Sequence, residues 1–141
     1  MKIVIDTNIL ISALIKDSMS RKLIVRLQSD FYIPENCIKE LLRHRELIIE
    51  KAGVSDSIFR DVLFDLLKRI KILTDEEILN YKFEAEKLMN HIDDTDSVFL
   101  AAAIAVKADY IWSNDKHFKQ QNKIAALTTE EVITLLSRGE L

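Results

Sequence analysis

The amino-terminal stretch "KIVID" (residues 2–6) constrains the fold more than any other part of the chain. Its β-branched residues form a short run that is apolar on both faces and closes on an aspartate. A strand apolar on both faces belongs in a sheet covered on both sides, which is the habit of parallel sheets. "FYI" (31–33, ended by Pro34), "KIL" (71–73), "DYIW" (109–112) and "KIAAL" (123–127) read as further strands. Helical patterns separate them. "NILISALIK" takes Thr7 or Asn8 as its cap, and "RKLIVRLQ" follows with Arg21 and Arg26 outward. "ENCIKELLRHRELIIE" reads as one long amphipathic helix with Cys37, Ile38, Leu41, Leu42 and Ile48 on its buried face and Gly53 at its end. Ser55 opens "SIFRDVLFDLLKRI". Thr74, with Glu77 as the capping-box partner, opens "DEEILNYKFEAEKLMN". "VFLAAAIAV" is apolar all round and reads as a buried helix, and Thr128 or Thr129 caps "EEVITLLS". Strands alternating with helices predict an α/β three-layer sandwich around a mostly parallel sheet.

Composition narrows the chemistry. A chain of 141 residues, 48% hydrophobic and 30% charged, is expected to form one domain with one core. A net charge of −3 argues against holding nucleic acid by a bulk positive field, although bound cations could do that work locally. Cys37 is the only cysteine, so an internal disulfide and a cysteine-type zinc cluster are excluded; it reads as a small buried apolar residue. The two glycines, Gly53 and Gly139, are too few for a P-loop or a dinucleotide-binding turn. Any phosphate handling must therefore use cations. "MKIVIDTN" reaches an aspartate before a secretory apolar core can form, and the run Val98–Val106 is too short to span a bilayer. The expected location is cytoplasmic, with no membrane contact.

In a parallel α/β sheet, ligands bind beyond the carboxyl ends of the strands. Asp6 ends the first strand, and Asp115 lies just beyond "DYIW". Glu40 sits in the first turns of the helix leaving the second strand. Asp96 opens the helix that runs back before "DYIW", so it too starts at that edge. Two like charges at about 4 Å repel by about 4 kcal/mol at a surface-like dielectric. Four converging carboxylates need shared protons or a cation, and oxygen donors favour one or two Mg²⁺ or Mn²⁺ ions over zinc. Such a site can supply a nucleophile from water and stabilise a leaving oxygen at phosphorus.

These residues carry a resemblance. "VIDTNILISALI", "IKELLR", "DDTDSVFLAAAI" and "YIWSNDKHF" occur in the order and spacing of the PIN-domain nucleases, the family that includes VapC-type toxins, and the likeness spans essentially the whole chain. It implies a five-stranded sheet in order 3-2-1-4-5, metal-dependent cleavage of RNA, and a possible small antitoxin partner. By this resemblance Asp6, Glu40, Asp96 and Asp115 are the catalytic and metal-binding acids, with Asn8 and Ser113 as supporting polar positions. Relatives often read Asp-Pro-Asp-Asp where this chain reads "DDTD". Asp93 matches the leading acid, as an outer or supporting group, and Asp94 could share that role. Asp94 or Thr95 is the expected cap of the following helix.

Each feature also has an ordinary reading. A strand-end aspartate can accept backbone bonds in a turn, Glu40 can pair with Arg43 or His44, and Asp115 can be a turn residue. Their convergence favours the cation. His44, His91 and His117 read as surface or satisfied histidines, with His91 a lesser candidate for substrate contact, and Trp112 reads as core. Lys39, Arg43 and Lys116, near the acids, are candidates for holding RNA phosphates. The helices at 21–28 and 57–69 offer faces for a homodimer or an antitoxin peptide. Two alternatives stand beside the nuclease: a catalytically inactive PIN-fold binding or scaffold module, and an aspartyl-phosphate enzyme. The latter needs a second aspartate two residues after the strand-end one, where this chain has Asn8.

Overall fold

A computed structural model of the chain describes residues 1–15, 18–89 and 94–141. The elements in order are β1 (Lys2–Ile5), α1 (Thr7–Leu14), α2 (Met19–Arg26), β2 (Asp30–Pro34), α3 (Glu35–Arg43), α4 (Arg45–Ala52), α5 (Asp56–Leu67) and β3 (Ile70–Leu73). They continue with α6 (Asp75–Ile78), α7 (Lys82–Leu88), α8 (Asp94–Val106), β4 (Tyr110–Trp112), β5 (Ala125–Leu127) and α9 (Thr129–Ser137). The strands form a five-stranded, wholly parallel sheet in the order β3-β2-β1-β4-β5. The α/β class and this strand order match the expectation.

β1 is central because its residues are apolar on both faces: Ile3, Val4 and Ile5 are fully buried. Ile5 stands beside Trp112 of β4, and Val4 beside Tyr32 of β2. α8 packs across β1, β2 and β4, with Leu100, Ala101, Ala102 and Ala103 fully buried. The small alanine side chains let the helix lie close to the sheet. α1, α2, α3 and α5 pack among themselves, and α6 and α7 pack on α8. Trp112 is fully buried, as expected for core, and its indole N–H donates to Thr129 Oγ1 at 3.0 Å.

Four local expectations are corrected. The cap of α1 is neither Thr7 nor Asn8 but Asp6, whose side chain accepts from Ile9 N at 2.9 Å. The long helix from Glu35 breaks at His44, which ends α3 and begins α4; the bend sends Ile48 into the core and leaves Leu42 52% exposed. The helix opened by Thr74 is also interrupted, by a 3₁₀ turn at Leu79–Tyr81. α8 starts at Asp94, so Asp94 and Thr95 lie within the helix and neither flanks it as a cap. His91 and Asp93 fall outside the described residues.

Two helix ends show the same device with different residues. In α9, Gly139 takes a left-handed conformation (φ 70°), with Glu140 N donating to Leu135 O at 2.9 Å. In α8, Lys107 takes it (φ 54°), with Ala108 N donating to Ala103 O at 2.8 Å. Both are Schellman endings, and the lysine carries the steric cost that glycine avoids.

Candidate metal centre

The carboxyl edge of the sheet gathers acids from four separate elements. Asp6 directly follows β1, Glu40 lies on α3, Asp96 is in the first turn of α8, and Asp115 follows β4. All four line one cleft of about 320 Å³, together with Thr7, Asn8 and His44. No lysine or arginine lines it among the described residues. A larger groove of about 620 Å³ lies elsewhere, against α2 and α5, where Arg21, Val25, Val62 and Leu66 meet. It gathers no comparable set of ligating groups, so the smaller cleft is where the chemistry converges.

The acids are held by a small set of hydrogen-bond partners, two of which they share. Asp6 is buried and both its oxygens are used: Oδ1 accepts from Ile9 N, and Oδ2 accepts a short hydrogen bond from the Ser113 hydroxyl. The Ser113 oxygen accepts in turn from Asp115 N at 3.0 Å. One hydroxyl thus ties the end of β1 to the turn after β4. Asn36 donates to Glu40 Oε1 at 3.2 Å, and Thr7 Oγ1 lies 3.1 Å from Glu40 Oε2 and 3.4 Å from Cys37 Sγ. A hydroxyl has one proton, and the carboxylate is its stronger acceptor. Burial, with the nearby charges of Glu40 and Asp6, pushes the Cys37 thiol up to about 12, so it stays protonated and acts as packing.

Asp96 sits at the positive end of the α8 dipole, which favours its ionised form. Asp115 caps a 3₁₀ turn, Lys116–Gln120, and accepts from His117 N at 2.9 Å. That turn folds the His117 ring back: Nδ1 lies 3.1 Å from Asp96 Oδ2 and 3.3 Å from Asp115 Oδ1. Buried Phe118 anchors the turn from below. The ligating atoms of Asp96, Asp115 and His117 all lie within 4.8 Å of one another. The sequence reads His117 as a surface or satisfied histidine and not as part of the acid cluster. The available signal was its spacing, two residues after a turn aspartate, where a tight turn returns the ring to the acid.

The donor set fits a hard divalent cation: carboxylate oxygens, with one imidazole nitrogen beside them. The electrostatics agree. The Asp6 carboxyl is pushed above its usual range, mainly by burial and further by the charges of Asp96 and Asp115, against the opposing bonds from Ser113 and Ile9. Protein groups alone leave this charge under-compensated, and a cation in the cleft would reverse the balance.

The candidate phosphate contacts stand apart. Lys39 points to Asp75 at 3.8 Å, and Lys116 is exposed on the turn after Asp115. Arg43 lines a depression beside the acid cleft, sharing His44 with it. None of the three lines the cleft itself.

Solved structures show the same fold. VapBC2 from Rickettsia felis, bound to a DNA fragment from the promoter, is similar with a TM-score of 0.67 and 20% identity, covering 91% of this chain and 98% of that one. FitAcB from Neisseria gonorrhoeae is similar at 0.64 and 17%, covering 91% and 98%. VapBC-1 from nontypeable Haemophilus influenzae is similar at 0.64 and 19%, covering 92% and 99%. No curated protein sequence matches the chain significantly. The PIN domain family matches residues 4–137, nearly the whole chain, and the chain belongs to that family.

Proposed function

We propose that the protein is a divalent-metal-dependent ribonuclease. The observation that carries this reading is the convergence of Asp6, Glu40, Asp96 and Asp115, from four separate elements, into one cleft lined by no lysine or arginine among the described residues. Like charges so grouped are costly, and the Asp6 carboxyl, pushed up mainly by its burial, is pushed up further by the charges of Asp96 and Asp115. The four acids would hold one or two Mg²⁺ or Mn²⁺ ions. A cation bound there supplies Lewis acidity and makes a nucleophile available from water at neutral pH.

The chain's own residues do the positioning. Ser113 locks Asp6 to the turn that bears Asp115. Thr7 and Asn36 hold the two oxygens of Glu40, leaving their remaining lone pairs for the cleft. Asn8 stands at the cleft wall, within reach of a substrate hydroxyl or an ordered water. Arg43 and Lys116, outside the acids, flank the cleft and would bind the phosphates beside the scissile bond, which places the strand without reading its sequence.

The reading extends to a partner. VapBC-type and FitAB-type proteins are among the solved structures that the fold resembles, which supports a small antitoxin protein as a partner of this chain. The groove against α2 and α5, with Val25 49% exposed at its rim, is the face for such a peptide or for a second copy of the chain.

The test is cleavage of a labelled RNA by the purified protein with Mn²⁺, with and without EDTA. Cleavage that EDTA abolishes, and that Asp6→Asn and Asp96→Asn lose with unchanged circular dichroism, is the expected result. A protein that binds RNA and Mn²⁺ but never cuts would favour the inactive binding module instead.

A further inference from the structure

The carboxylates alone do not account for the geometry at Asp96 and Asp115. A carboxylate only accepts hydrogen bonds, and two of them facing one another need something between them. Here that something is the His117 ring, with Nδ1 at 3.1 Å from Asp96 Oδ2 and 3.3 Å from Asp115 Oδ1. The ring is held by its own backbone, since His117 N bonds Asp115 Oδ1 at 2.9 Å and the neighbouring Phe118 is fully buried. Adjacent ligands of a six-coordinate ion stand about 1.4 times the bond length apart, about 3 Å for bonds of about 2.1 Å. Both His117 distances match that edge, and the three atoms together lie within 4.8 Å.

We propose that His117 is a nitrogen ligand of the cation held by Asp96 and Asp115, and that it biases the site toward Mn²⁺ over Mg²⁺. The inference rests on reading the cleft as a divalent-cation site. Its chemical basis is donor preference. Mg²⁺ favours oxygen and keeps its waters, whereas imidazole nitrogen suits transition-metal ions. An all-carboxylate centre would discriminate little between the two ions; one nitrogen in the ligand set discriminates more.

The experiment is pulsed electron paramagnetic resonance on the full chain loaded with Mn²⁺ alone, paired with calorimetric titration of Mn²⁺ and of Mg²⁺. The variant is His117→Asn, whose amide can stand in for the hydrogen bonds but offers the ion an oxygen. The wild type is expected to show nitrogen modulation from a directly bound imidazole. In His117→Asn that modulation disappears, and the Mn²⁺-to-Mg²⁺ affinity ratio falls about tenfold, within the range typical of changes around metal sites. Loss of modulation in the variant also excludes His44, which lines the same cleft, as its source. Mn²⁺ bound by the wild type without nitrogen modulation overturns the assignment of His117 and leaves the cation site standing. So does an unchanged affinity ratio in the variant. No Mn²⁺ binding by the wild type at millimolar concentration overturns both. Should His117→Asn fail to fold, His44→Asn decides: modulation that persists there supports His117, and modulation that is lost overturns its assignment.

Discussion

The two edges of the sheet treat charge in opposite ways. At the amino edge Lys2, Asp30, Lys71 and Asp109 each meet an opposite charge or a backbone group. Lys71 reaches Asp30 at 3.4 Å, and the Asp30 charge is the main cause that raises the lysine above its usual value. Asp109 accepts from Lys2 N at 2.8 Å, and Lys2 Nζ donates to Val106 O. At the carboxyl edge, four acids share one cleft and the buried one among them is pushed toward its neutral form. Charges that serve the fold are compensated within the chain. Under the proposed function, the charges gathered at the carboxyl edge serve a cation that the chain does not itself supply.

That contrast can be broken in order of expected effect. The largest is catalytic: Asp6→Asn or Asp96→Asn lowers RNA cleavage at least about 100-fold, since each removes part of the charge that holds the cation. Initial rates with Mn²⁺ measure it. Next is stability. Saturating Mn²⁺ at about 100 times its dissociation constant adds about 2.7 kcal/mol to unfolding by mass action, and EDTA removes the gain. Thermal melts at the two conditions measure it, and Asp6→Asn flattens the difference.

In EDTA the sign at Asp6 reverses. Its folded pKa is raised, so the metal-free protein loses stability as pH rises from the unfolded value of 3.8 through the folded one. Asp6→Asn should therefore stabilise the metal-free protein at neutral pH, and the gain should vanish below the unfolded pKa, where Asp6 is protonated in both states. Urea melts at pH 7 and pH 3 would show it. Lys107→Gly, far from the cleft, should gain up to about 1 kcal/mol by removing the cost of a left-handed lysine, with cleavage unchanged. Smallest of all, Asp30→Asn at the amino edge should leave both the melting temperature and Mn²⁺ binding unaltered, because its pair with Lys71 is solvent-exposed. A loss of metal affinity there would erase the distinction between the two edges.

Much of this was legible in the sequence for a physical reason. Asp6 directly follows an apolar strand, Asp115 comes one short turn after another, and Asp96 and Glu40 lie in the early turns of helices at the same edge. Parallel topology then leaves little freedom in where they meet. The helix breaks were not legible, because the apolar spacing runs on through His44 and through Leu79–Tyr81. Only packing against α1 and α8 decides where those helices bend. Asp6, Thr7 and Asn8 are all good helix caps, so residue type alone does not say which of the three opens α1. The ring of His117 was missed because its role depends on a 3₁₀ turn, and short turns of that kind leave no periodic signal. The sequence does not rank the basic residues: Lys39 lies 3.8 Å from Asp75 and Arg43 lines the depression beside the cleft, a difference that only geometry shows.

The most direct measurement is calorimetric titration of Mn²⁺ into the wild-type protein and into Asp6→Asn/Asp96→Asn. The account predicts one or two saturable sites in the wild type and none in the double variant, with both proteins folded by circular dichroism. No binding to the wild type, or undiminished binding to the double variant, would contradict the claim that the acidic edge is built for a cation.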